Sequence, residues 1–101
     1  MPNPIIETVL FRLEDSVSRE DFMATVPGST AFMEDAPGWV ARRLSCGKDG
    51  QWIEHVEWES MDAAKAAAAR IGSDDRTAAF VKCINGPSVQ MHHTELLVKL
   101  R

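Results

Sequence analysis

The sequence predicts an α+β fold in which four strands form one sheet and the helices cover one of its faces. The segments Gly38–Ser45 and Gln51–Glu59 are rich in strand-forming residues and flank a turn signal at residues 48–50. Such a pair is typical of a β-hairpin. Directly after it, Ser60 precedes the Ala-rich run Met61–Ile71. A helix N-cap followed by strong helix formers predicts a helix there.

The first part of the chain is expected to form a strand and an interrupted helix. Residues Ile5–Leu13 are predicted as the first strand. Ser18 and Asp21 have the spacing of a capping box, so the first helix is expected to begin there. Pro27-Gly28 should interrupt that helix, because a proline removes one backbone hydrogen bond and clashes with the preceding turn. The helical pattern resumes directly afterwards and ends before the next proline.

The last part of the chain adds a short helix and a fourth strand. Gly72 is predicted to lie just past the Ala-rich helix, and Ser73 to cap a short third helix ending near Asn85-Gly86. Ser88–Leu100 is predicted as the last strand. The resulting order, β-α-β-β-α-(α)-β, is that of the ferredoxin-like or split βαβ fold, with a four-stranded antiparallel sheet of order 4-1-3-2. In this arrangement strand one is expected to run parallel to strand three and antiparallel to strand four.

Length and composition predict one domain, residues 1–101, with an ordinary globular balance. Apolar residues make up 45% and charged residues 26%, and the formal net charge is −4. This charge argues against a nucleic-acid partner, which would require a basic face. No apolar run approaches the roughly 20 residues that cross a bilayer, and the N-terminus does not have the pattern of a signal peptide. Cys46 and Cys83 form no CxxC motif, so we expect reduced thiols in a cytoplasmic protein.

The alternation of residues along the strands divides the sheet into two faces. The more apolar face is expected to meet the helices, and it also carries Glu7 and Glu54. The second face mixes polar groups with apolar side chains that no helix is expected to cover. An exposed apolar face of this kind usually has a partner, and a second copy of the sheet is the simplest one. We therefore predict a homodimer. The apolar residues concerned are Ile6, Leu10, Ile53, Leu96 and Val98.

Three segments resemble a known superfamily. They are Glu7–Leu13, Pro37-Gly38-Trp39, and Val56–Ser60 followed by the Ala-rich helix, and Phe80-Val81 also fits. The chain resembles the dimeric α+β barrel superfamily, which includes antibiotic-biosynthesis monooxygenase-like and stress-responsive barrel-like proteins. The resemblance implies a dimer of two paired sheets. It also implies a cavity for a small organic ligand, either between sheet and helices or inside the barrel.

The resemblance implies no cofactor for this chain. Haem-degrading relatives place an Asn on the first strand and a haem-binding His on the third helix, where this chain has Val9 and Phe80. Quinol-oxidising relatives often carry a His on the second helix, near the position of Ala67. Both helix histidines are therefore replaced by residues that bind no haem iron.

Polar side chains on the second face form the candidate site predicted from the sequence. His55 is the candidate catalytic base, because an imidazole titrates near neutral pH. With the assumed strand directions, Arg12 lies near Glu57 and His92 lies toward Thr8. These four residues are predicted to bind ligand, and His55 and His92 are about 9–10 Å apart, too far for one metal ion. We therefore predict no metal site. His92 and His93 are adjacent on a strand, so they point to opposite faces.

Each candidate also has a structural interpretation. Arg12 and Glu57 could form a structural ion pair, and His55 could line a barrel with a structural hydrogen bond. If the two faces were reversed, Glu7, Glu54 and His93 would become the candidates.

Two functions stay open. The first is a homodimeric barrel protein that binds a small organic ligand, with its specific activity unknown. The second is a cofactor-independent monooxygenase or isomerase acting on an aromatic or polyketide-like substrate.

Overall fold

The secondary structure follows the order strand, two helices, two strands, two helices, strand. A computed structural model describes residues 3–101. The elements are β1 (Ile5–Phe11), α1 (Arg19–Met23), α2 (Val26–Asp35), β2 (Trp39–Cys46), β3 (Trp52–Trp58), α3 (Met61–Ile71), α4 (Ala78–Lys82), a 3₁₀ turn (Gly86–Ser88) and β4 (Gln90–Glu95). Among the described residues, no helix is both long and apolar enough to cross a lipid bilayer.

The four strands form one sheet in the order β2-β3-β1-β4, which confirms the predicted order 4-1-3-2. All neighbouring strands are antiparallel. The assumption that β1 runs parallel to β3 is therefore wrong. The helices between β1 and β2 return the chain so that both strands run the same way, and the tight hairpin then reverses β3. As a result, Thr8 pairs with His55, and Ile6 pairs with Glu57.

The first predicted helix is divided into two. Ser18 and Asp21 form the predicted capping box, in which each side chain accepts from the other residue's backbone N–H. The interruption falls between Met23 and Val26, three residues earlier than predicted. Pro27 lies in the first turn of α2, where its missing N–H would have no partner within the helix. The proline therefore begins the second helix instead of breaking it.

The C-terminal elements are shorter than the sequence predicts. Thr77 precedes α4 without a side-chain cap, so the predicted cap at Ser73 is wrong. β4 ends at Glu95 because this residue pairs with Ile5, the first residue of β1. One further hydrogen bond joins the Leu96 N–H to the Pro4 carbonyl. The neighbouring strand offers no backbone partner beyond that point, so the last residues leave the sheet.

The hydrophobic core lies between the helices and one face of the sheet. One cluster joins α2 and α3 to Val56 and Trp58. The second is aromatic, and its Phe22 ring lies 4.8 Å from Trp52 and 5.0 Å from Phe80, measured between ring centroids. Val9 and Phe11 pack in the second cluster, so the predicted assignment of faces is confirmed. We call this helix-covered side the inner face and the opposite side the outer face.

Candidate functional site

A cavity of about 320 Å³ lies between the inner face of the sheet and α2, α3 and α4. The short side chains of Ala67 and Ala68 leave room on the α3 side, while aromatic rings from the sheet and the other helices form much of the wall. Most of the lining is apolar, and its two carboxylates are Glu7 and Glu54. The lining residues are Glu7, Val9, Phe11, Phe32, Met33, Glu54, Trp58, Ala67, Ala68, Ile71, Phe80, Val81, Ile84, Gly86, Val89 and Met91.

Glu7 is paired with His93 at the edge of this cavity. Glu7 lies on β1 and is 8% exposed, and the register of β1 and β4 places it directly opposite His93. The distance from His93 Nε2 to Glu7 Oε2 is 2.8 Å. His93 lies on the edge strand and is half-buried, so the pair connects the cavity wall to the rim of the sheet.

The second carboxylate, Glu54, is fully engaged by Arg42. Arg42 Nη2 donates to Glu54 Oε1 at 2.7 Å, and Arg42 Nε donates to Oε2 at 2.9 Å. The remaining guanidinium nitrogen donates to the hydroxyl oxygens of Ser29 and Thr30 on α2. The two charged side chains are only 8% and 6% exposed. A buried charge pair with this many hydrogen bonds fixes the position of α2 relative to the sheet.

Sequence reasoning placed Glu7 and Glu54 on the inner face but did not select them as site residues. The available signal was their position: each is the one charged residue in an otherwise apolar alternation, between Ile5 and Val9 or between Trp52 and Val56. A carboxylate buried among apolar side chains is costly unless it is paired. An isolated acidic residue in an apolar alternation therefore indicates a buried, paired carboxylate.

The predicted site residues on the outer face are only partly brought together. Thr8 pairs with His55 on one side and with His92 on the other, so the three residues form one row across the sheet. Both histidines are exposed. The binding and catalytic roles assigned to these residues stay predictions.

The predicted Arg12–Glu57 pair is wrong. Because β1 and β3 are antiparallel, the two residues lie toward opposite ends of the sheet. Arg12 follows the end of β1 and donates to the Asp49 carboxylate at 3.2 Å and to its carbonyl at 2.8 Å. The backbone N–H of Gln51 and the Arg12 guanidinium lower the pKa of Asp49. Glu57 instead accepts a hydrogen bond of 2.8 Å from Lys99 Nζ in the C-terminal segment.

An open groove of about 590 Å³ lies on the outer face next to residues 96–101. His55 and Glu57 line it, whereas Thr8, Arg12 and His92 do not. The five predicted residues therefore do not share one cavity. Arg43 and Lys99 add further charges, so this groove is much more polar than the inner cavity.

Neither cysteine nor a metal cluster adds reactive groups to the inner cavity. Cys46 and Cys83 are free thiols and are absent from the residues that line it. Burial, followed by the nearby Asp21 charge, raises the pKa of Cys83 and so disfavours its thiolate. Within residues 3–101, no group of three or more His, Cys, Asp or Glu side chains is placed to hold a metal ion.

Comparisons with known proteins point to one fold. SnoaB, a cofactor-independent oxygenase from Streptomyces nogalater, matches with a TM-score of 0.78 and 17% identity over 97% of each chain. A candidate antibiotic biosynthesis monooxygenase from Bordetella bronchiseptica matches with a TM-score of 0.77 and 19% identity, over 95% of this chain and 99% of the other. Rv0793 from Mycobacterium tuberculosis gives 0.69 and 13%, over 97% and 99%.

Unlike the comparisons of structure, the comparisons of sequence found no similar protein. No protein-family model matches the chain, and no curated protein is significantly similar to it. The resemblance therefore rests on the shared arrangement of strands and helices over nearly the whole chain. This protein has the ferredoxin-like α+β fold of the antibiotic-biosynthesis-monooxygenase-like proteins, as its sequence predicted.

Proposed function

We propose that this protein binds a small, mainly apolar organic molecule in the inner cavity. The observation that carries the proposal is the cavity of about 320 Å³ between the sheet and the helices. Its volume lies at the lower end of the range of about 300–1,000 Å³ typical of small-molecule sites. Such sites are mostly apolar with a few polar groups that orient the ligand, and this lining has the same character.

An aromatic ring system is the ligand class that fits best. Phe11, Phe32, Trp58 and Phe80 all contribute to the wall. Aromatic side chains stack on flat ligands at favourable angles and bury large apolar areas. The charged groups disfavour an anionic ligand, because Glu7 and Glu54 supply negative charge and the Arg42 guanidinium is already occupied by Glu54.

Blocking the cavity from α3 tests the proposal. Ala68 lines the cavity but is itself exposed, so Ala68→Trp can place an indole at the cavity without overpacking the core. We expect this variant to lose at least about tenfold in affinity for neutral aromatic probes, because the new ring occupies their volume. Isothermal titration calorimetry with naphthalene, indole and 2-methoxynaphthalene measures the effect.

Ala66→Trp is the matched control. Ala66 is exposed on the same helix and does not line the cavity, so the same substitution there should leave affinity unchanged. Equal losses in both variants, or saturable binding that Ala68→Trp leaves intact, would contradict the assignment of the cavity. So would the absence of binding by all three probes in the unaltered protein.

We further propose that the protein is a homodimer that pairs through its outer faces. All four helices pack on the inner face, and Ile53 on the outer face is 38% exposed. The C-terminal segment leaves Leu97, Val98 and Leu100 at least 78% exposed. In such a dimer, the row of Thr8, His55 and His92 and the nearby Glu57 would be enclosed, and their predicted ligand-binding roles depend on that enclosure. Arg12 lies outside this row.

Ile53→Asp tests the dimer. A carboxylate in the centre of an apolar contact carries a large desolvation penalty, so we expect the variant to be monomeric at micromolar concentration. Light scattering should give twice the chain mass for the unaltered protein and the single mass for the variant. Met23→Asp is the control, since Met23 is 45% exposed on the helical side. A folded monomer of the unaltered chain would refute the proposed dimer.

A second candidate function is cofactor-independent oxygenation of an aromatic substrate. SnoaB, which shares this fold, is described as an oxygenase of this kind. Here the Glu7 carboxylate at the cavity wall is a group that could accept a proton from a bound substrate. Oxygen consumption with anthrone, which carries an acidic C–H, distinguishes oxygenation from binding alone.

A further inference from the structure

We infer that Glu7 selects the ligand by accepting a hydrogen bond from it, so that the preferred ligands are neutral hydroxyaromatic molecules such as phenols and enols. This inference rests on the proposed binding of an aromatic ligand in the inner cavity. It adds the chemical group that the ligand presents and the atom that receives it.

The two oxygens of Glu7 are not equivalent. Oε2 is 2.8 Å from His93 Nε2, whereas no hydrogen bond from any described residue reaches Oε1. The side chain is only 11% exposed, and the residue lines the cavity. Oε1 is not among the fully buried side-chain atoms that lack a hydrogen-bond partner, so it keeps contact with solvent. A donor group on the ligand would replace water as the partner of this oxygen.

Glu54 cannot take this role, although it lines the same cavity. Each of its oxygens accepts at least one hydrogen bond from Arg42. Arg42 in turn is held by the hydroxyl oxygens of Ser29 and Thr30. The contrast between the two carboxylates leaves Glu7 as the charged acceptor available to a ligand among the described lining residues.

His93 acts as a positioning residue for Glu7. As the neutral Nε2–H tautomer or as the imidazolium, its ring donates to Oε2 and fixes the carboxylate against β4. The remaining oxygen then receives a ligand hydroxyl as a charge-assisted hydrogen bond, which is shorter and stronger than a neutral one. A ligand anion would meet repulsion from the same carboxylate.

The experiment compares 2-naphthol with 2-methoxynaphthalene, which replaces the hydroxyl by a group that cannot donate. In the unaltered protein, 2-naphthol should bind at least about tenfold more tightly, the size expected for a hydrogen bond to a charged group. In Glu7→Gln, the ratio of the two dissociation constants should fall toward one, because the carboxylate is lost and the amide NH₂ can donate to the ether oxygen. Calorimetry of both probes gives the ratio.

Glu95→Gln is the matched control. Like Glu7→Gln, it removes one negative charge, and Glu95 lies on β4, the strand that carries His93. Because Glu95 is exposed and does not line the cavity, the ratio of the two dissociation constants should stay at its unaltered value. Thermal unfolding of both variants checks that they fold. The ratio of the two dissociation constants can be measured in the unaltered protein, so the inference remains testable if Glu7→Gln does not fold.

The outcomes separate this inference from the function on which it rests. Tight binding of both probes with equal affinity in the unaltered protein would overturn the role of Glu7 and leave the cavity as a binding site. Binding of neither probe would overturn the proposed function itself. A preference for 2-naphthol that survives in Glu7→Gln would assign the acceptor to another group and refute the inference.

Discussion

Replacing Glu54 by glutamine is expected to lower the free energy of unfolding by about 3–5 kcal/mol, the typical cost of removing one partner from a buried ion pair. The variant leaves the Arg42 guanidinium buried among α2, the sheet and the Phe80 ring, with its charge uncompensated. Small domains are stable by only about 5–15 kcal/mol, so this is a large fraction of the total. Urea unfolding followed by circular dichroism measures the loss.

Two comparisons show whether the charge is responsible. In the double variant Arg42→Met/Glu54→Leu, apolar side chains of similar length replace both partners, and we expect it to be more stable than Glu54→Gln alone. Asp49→Asn removes one partner of the exposed Arg12–Asp49 pair and should cost far less, because water screens exposed ion pairs. Equal losses of unfolding free energy for Asp49→Asn and Glu54→Gln would show that the Arg42–Glu54 pair stabilises the fold no more than an exposed ion pair does.

Phe22→Ala is expected to lower the free energy of unfolding by about 3–5 kcal/mol, the usual range for deleting a buried phenyl ring. Phe22 is fully buried, and its ring contacts Phe11 edge-on at 5.7 Å, as well as Trp52 and Phe80. Phe11 and Phe80 also line the inner cavity, so the variant should weaken binding of the aromatic probes as well. Chemical denaturation and calorimetry measure the two effects.

Met23→Ala is the control for this prediction, because Met23 is the next residue in α1 and is 45% exposed. It should cost less than about 1 kcal/mol, as most surface substitutions do. A loss of similar size in both variants would contradict the role of the aromatic cluster, since it would indicate that α1 matters as a helix and not through the ring of Phe22.

The sequence was sufficient to predict most of the fold. The alternation in β3 placed Trp52, Val56 and Trp58 on one face, and the apolar side chains of that face are what the helices bury. Ser60 starts α3 as predicted, since its side chain accepts from the Ala63 N–H. The direction of β3 relative to β1 was assigned wrongly, although the hairpin itself implied the reversal. That one error placed Arg12 beside Glu57.

The candidate site was harder to predict, because a cavity is a volume left over after packing. Its size depends on the small side chains of the buried Ala67 and the exposed Ala68 and on the path of α4, and neither follows from strand alternation. Polar residues are most numerous on the outer face, and their number alone favours a site there. The inner face carries fewer polar groups, but Glu7 and Glu54 are buried there. A buried carboxylate is costly unless it is paired, so each of them matters more than an exposed polar group.

Methyl nuclear magnetic resonance of the labelled protein during titration with 2-naphthol tests most directly whether the ligand binds between sheet and helices. Binding there should shift the methyl signals of Ala67, Ile71 and Met91, which line the inner cavity, and leave those of Ile6, Ala41 and Val98 in the outer groove unchanged. Shifts confined to Ile6, Ala41 and Val98 would place the ligand on the outer face and contradict binding in the inner cavity.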